Sequence, residues 1–134
     1  MALITWTPEL SVGVKDFDEQ HQKLIALINR LHEEMRAGKA KEAIGKILQE
    51  LLDYTDYHFG LEEKAFEKYG YPEAAEQKAQ HRHFIARIQD LIDKQKSGSL
   101  LVSVDALDFL NDWLVNHIQI HDKRYADFFK GKSL

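Results

Sequence analysis

The chain has 134 residues, is 44% hydrophobic and 30% charged, and carries a net charge of −4. That is enough for one domain with a real core, and it gives no electrostatic reason to expect nucleic acid or an anionic membrane as partner. With no cysteine, disulfides, thiolate metal sites and cysteine-ligated iron–sulfur clusters are excluded. No run approaches the roughly 20 apolar residues that span a bilayer. The opening Met1-Ala2-Leu3-Ile4-Thr5-Trp6 lacks the basic segment and long apolar run of a signal peptide. The expectation is a soluble, cytoplasmic monomer folded as a single domain over residues 1–134.

Residues 1–17 lack helical periodicity and contain Pro8 and Gly13, so they read as an extended arm. Asp18 is placed to cap a first helix running to about Ala37, with Leu24, Ile25, Ile28, Leu31 and Met35 at helical spacing. After Gly38, a second helix spans about Ala40 to Tyr69. One of its faces carries Ile44, Ile47, Leu48, Leu51, Thr55, His58, Glu62 and Phe66, and Gly70-Tyr71-Pro72 stops it. A third runs from about Glu73 to Lys96 with a face of Gln77, His81, Phe84, Ile85, Ile88 and Ile92, ending at Ser97-Gly98-Ser99. Ser103 is a candidate cap for a fourth helix to about Lys130, which carries Leu107, Leu110, Leu114, His117, Ile118, Tyr125 and Phe128. Nothing alternates like a strand for more than a few residues. Short connections favour antiparallel neighbours, so the fold class is all-α: an up-down-up-down four-helix bundle behind an N-terminal arm.

Each of the four segments puts a histidine on its apolar stripe: His21, His58, His81 and His117. Glu62 joins His58 on its stripe, four residues and about 40° away. A lone buried glutamate is expensive, whereas one that bridges two cations has its charge compensated. His32, beside Glu33 and Glu34, and His83, off the His81–Phe84–Ile88 face, read as solvated. Helix four leaves two candidates open. His121 is four residues from His117 and shares its face on an ideal helix. Asp122 is five away, about 140° round, but it supplies the anion that two divalent metals need. A locally widened π-type turn would bring it back to the face.

Imidazole mixed with carboxylate suits iron or manganese better than zinc, calcium or magnesium. The doubled Glu-x-x-His pattern of ferritin-like bundles is absent. With few anions to stabilise a highly oxidised metal, the site leans toward holding oxygen rather than splitting it.

The chain resembles the hemerythrin family, specifically its single-domain bacterial members. The resemblance rests on the Trp6 arm, Asp18-Glu19-Gln20-His21, His58-x-x-x-Glu62, Gly70-Tyr71-Pro72, His81, and Trp113-Leu114-Val115-Asn116-His117-Ile118 with Asp122. It implies two non-haem iron ions with a bridging oxo or hydroxo group, and reversible binding of dioxygen at one of them. His21 and His58 would hold the oxygen-binding iron, His81 and His117 the second, and Glu62 and Asp122 would bridge both. The resemblance thereby favours Asp122 over His121. Leu114, with Trp113, Phe59 and Ile118, would wall the oxygen pocket, and Tyr125 would support the ligands by hydrogen bonding. The family places a further histidine four residues before His81; here that residue is Gln77, whose amide oxygen is a weaker ligand than imidazole toward iron. Either Gln77 coordinates through oxygen, or water fills the gap, or that iron binds with fewer ligands. Oxygen carriage, storage or supply is the function so implied. The alternatives are a redox enzyme acting on peroxide or nitric oxide, and an oxygen or iron sensor.

Overall fold

A computed structural model describes residues 4–98 and 102–130. Helix α1 covers Lys15–Arg36, α2 Ala40–Tyr69, α3 Ala74–Lys96 and α4 Val102–Asn116. The last continues through a π-helical turn, His117–Asp122, into α5, Lys123–Phe129. α1 packs on α2, α2 on α3, α3 on α4, and α4 back on α1, closing a four-helix bundle. The links at 37–39 and 70–73 are too short to carry the chain back along a helix, so successive helices run antiparallel. Among the described residues no helix is long and apolar enough to cross a membrane.

The helix ends follow local chemistry. Gly70 adopts the left-handed conformation at φ 65°, where a side chain would be strained. The next N–H, that of Tyr71, closes onto the Phe66 carbonyl at 2.9 Å. α1 departs from the expected start. It begins at Lys15 behind Val14, which offers no side-chain cap. Asp18 therefore lies in the first turn, where its charge still suits the helix dipole. Its carboxylate is spent on the arm, accepting from the Val12 N–H at 2.8 Å and the Ser11 hydroxyl at 2.6 Å. The arm is also less extended than expected, with a 3-10 turn at Pro8–Leu10. Asn29 clamps both the N–H and the carbonyl of Ile4, at 2.9 and 2.8 Å. α4 already includes Val102, so Ser103 sits within its first turn rather than ahead of it. Ser99 lies outside the described residues.

Antiparallel register sorts the interior into three tiers. Leu24, Ile28 and Leu31 of α1 meet Ile44, Ile47, Leu48 and Leu51 of α2, Phe84, Ile88 and Leu91 of α3, and Ala106 and Leu110 of α4 in an aliphatic core. Each leucine, isoleucine or phenylalanine among them contributes about 1.5–3 kcal/mol by leaving water. At the other end Phe66, Tyr71, Tyr125 and Phe129 form an aromatic cluster, with ring centroids 5.0 to 6.4 Å apart. Between the two lies a polar tier.

Candidate metal centre

His21, His58, Glu62, Gln77, His81, His117 and Asp122 are all buried and come from all four sides of the bundle. Two groups of donor atoms converge, His21–His58–Glu62 and Glu62–His81–His117, and each is close enough to hold one cation. Glu62 is common to both. Its Oε2 lies 3.4 Å from His58 Nε2 and 3.8 Å from His21 Nε2, and its Oε1 lies 3.2 Å from His81 Nε2. Asp122 spans the same gap from the opposite side, with Oδ2 3.3 Å from His21 Nε2 and Oδ1 3.1 Å from His117 Nε2. Each carboxylate thus presents one oxygen to each histidine pair.

Asp122 reaches this position because helix four widens. The Lys123 N–H bonds to the Ile118 carbonyl five residues back, the π pattern that returns an i+5 residue to the face. His121, the alternative by ideal geometry, is half-buried and turned outward, with Nδ1 3.7 Å from Glu76 Oε1. His83 is exposed and touches Phe109, and His32 is half-buried on α1; neither joins the cluster.

The tier leaves polar atoms unsatisfied. Both ring nitrogens of His21 and of His117, the Nε2 atoms of His58 and His81, Glu62 Oε1, Gln77 Oε1 and Asp122 Oδ2 are buried with no hydrogen-bond partner. Each such atom costs about 1–3 kcal/mol if left unpaired, and so many facing one another form a donor set that a bound cation would satisfy. Nitrogen and oxygen donors without sulfur fit iron or manganese. The residues present fit a metal pair.

Two outer contacts set imidazole orientation. His58 Nδ1–H donates to Gln20 Oε1, and His81 Nδ1–H donates to Glu63 Oε2 at 3.0 Å. Each leaves the Nε2 lone pair aimed inward, the arrangement that raises ligand basicity. The sequence reading missed Gln20 and Glu63. Their only signal is adjacency to His21 and Glu62, because the bonds cross between helices. Tyr125 was expected to support the ligands, and its buried phenol donates to Glu62 Oε2.

Electrostatics agree with this division of roles. Burial opposes ionisation of Glu62, yet His58, His21 and His81 hold it well below its ordinary range. Burial and Glu62 push Asp122 up, but His117 and His21 prevail and hold it at about 2. Burial disfavours protonated His21, but Asp122 and Glu62 outweigh it and raise its pKa to about 9. Tyr125 is driven far above 10 by burial and by both acids, so it stays a neutral donor. Two ionised carboxylates inside a bundle call for positive charge, which in the metal-free chain only protons can supply.

Apolar rings jacket the tier. Phe59 stacks on His81 at 3.8 Å and Trp113 on His117 at 4.3 Å, while Phe17 meets His58 edge-on at 5.9 Å. Leu114 and Ile118 are buried as well. Phe59 and Trp113 therefore lie chiefly against the His81–His117 end.

The model of the hemerythrin HHE cation binding domain matches residues 12–129. The chain belongs to the hemerythrin family. It is 40% identical over 127 residues to bacteriohemerythrin of Methylococcus capsulatus, covering 94% of this chain and 96% of that one. It is 35% identical over 131 residues to bacteriohemerythrin of Stenotrophomonas maltophilia, covering 98% and 84%. A solved crystal structure of wild-type hemerythrin superposes with a TM-score of 0.86 at 38% identity, covering 94% of this chain and 97% of the other. Hemerythrins bind non-haem iron and dioxygen, and this member has histidine–carboxylate clusters able to hold a metal.

Proposed function

We propose that this hemerythrin holds two iron ions and binds dioxygen reversibly, for carriage, storage or supply. The observation that supports it best is the pair of donor clusters sharing Glu62, with Asp122 spanning them from the other side. A pair of ferrous ions bound there supplies the reversible binding of dioxygen. His21 and His58 would hold one ion and His81 and His117 the other, with Glu62 and Asp122 supplying an oxygen to each. With two imidazoles and two carboxylate oxygens around it, the ion at the His21–His58 end would keep coordination positions open for a small ligand.

The remaining residues keep that chemistry reversible. Gln20 and Glu63 fix the imidazoles, so the donor lone pairs are set before metal arrives. Tyr125 donates to Glu62 Oε2 and holds the bridging carboxylate in place. Phe17, Phe59, Trp113, Leu114 and Ile118 exclude bulk water, which favours release of dioxygen intact over oxidation of the iron.

The test is optical. The chain is loaded anaerobically with ferrous iron, exposed to air, then returned to nitrogen. Absorbance that rises in air and falls again over repeated cycles is the expected result. Irreversible bleaching with consumption of added peroxide would assign a redox enzyme instead.

A further inference from the structure

Gln77 is a buried neutral amide in the polar tier that no imidazole engages. It is 2% exposed, and its Nε2 lies 3.0 Å from Asp122 Oδ1, the same oxygen that approaches His117 Nε2 at 3.1 Å. That contact fixes which way the amide points. A carboxylate accepts and cannot donate, so reversing the amide would set two acceptors against each other. The Oε1 atom is left buried and without a partner, in the tier where His81 Nε2 and His117 Nε2 also lack one. An amide oxygen oriented by a bridging carboxylate, on the same helix face as His81, is a ready neutral donor.

Oxygen and nitrogen donors do not select metals alike. Imidazole favours iron over manganese, whereas carbonyl and carboxylate oxygens suit manganese. At the His81–His117 position the available donors are two imidazoles, two carboxylates and this amide, an oxygen-rich set.

We propose that Gln77 is a metal ligand through Oε1 and makes the His81–His117 position accept manganese(II), so that the chain holds a mixed iron–manganese pair when both are supplied. The proposal rests on the two-metal reading above.

The full chain is stripped of metal and reloaded anaerobically with equimolar ferrous and manganous ions in excess. Unbound metal is then removed and both elements are measured, alongside Gln77→His and Gln77→Leu. Wild type is expected to retain both metals, with an iron-to-manganese ratio at least about tenfold lower than that of Gln77→His. Gln77→Leu, which removes the donor, is expected to lose most of the bound manganese. Equal ratios in wild type and Gln77→His overturn the proposal, and so does wild-type retention of manganese in Gln77→Leu. If wild type takes up two irons from ferrous iron alone, such a failure leaves the two-metal reading standing. If it takes up fewer than two, that reading fails and this proposal with it.

Discussion

Helix four offers a sharp comparison between Asp122 and its neighbour His121. Asp122→Asn keeps the size of the side chain but removes the charge that stands 3.3 Å from His21 and 3.1 Å from His117. Changes one contact behind a metal ligand cost about 10–100-fold in affinity. Losing a carboxylate that spans two metal positions should cost at least about 100-fold, or roughly 3 kcal/mol. His121→Ala removes a half-buried ring whose nearest acid, Glu76, is 3.7 Å away. A partly exposed pair at that distance is worth about 0–1 kcal/mol, and the ring does not join the donor cluster, so metal affinity should not change. The assay is anaerobic ferrous titration of both variants against a competing chelator, with thermal unfolding of the metal-free forms to show that each folds. If His121→Ala strips the metal while Asp122→Asn keeps it, the π turn does not place the ligand and the site has been misread.

Tyr125→Phe removes a donor to Glu62; metal affinity is expected to fall about 10–100-fold in the same competition assay, with the helical content unchanged. Gly70→Ala meets open space but must adopt φ 65°, so urea unfolding should show a loss of about 1 kcal/mol at unaltered metal content. His21 has a pKa of about 9 in the metal-free chain against an ordinary 6.5. Its charged form therefore stabilises the metal-free fold fully below pH 6.5, and that contribution fades as the pH rises through about 9. Metal must displace this proton, so calorimetric titrations in buffers of different ionisation heat should show proton release on loading at neutral pH. Ferrous affinity should rise toward pH 9; affinity that is flat in pH would contradict that assignment.

Much of this was legible from spacing. Glycine and proline mark the helix ends closely, since Gly38, Gly70 and Gly98 all take positive φ that a continuing helix forbids. The apolar stripes locate His21, His58, Glu62, His81 and His117, because burial and helical periodicity are the same signal. Asp122 was legible only as a tension between geometry and charge, which a widened turn resolves. Asp18 misled because a first-turn acid can serve either the helix end or a chain segment folding back on it, and only tertiary contact with Ser11 and Val12 decides. Gln20 and Glu63 stayed hidden for the same reason. Their partners His58 and His81 lie 38 and 18 residues away, and no local pattern encodes a bond between helices.

The most direct measurement is iron per chain. The metal-free protein is saturated with ferrous iron under anaerobic conditions, freed of excess by gel filtration, and analysed for iron and protein together with Glu62→Gln. Since Glu62 faces both histidine pairs, wild type is expected to hold two irons and Glu62→Gln to lose the pair. Saturation of wild type at one iron, or a Glu62→Gln chain that still holds two, would contradict a carboxylate-bridged dinuclear centre.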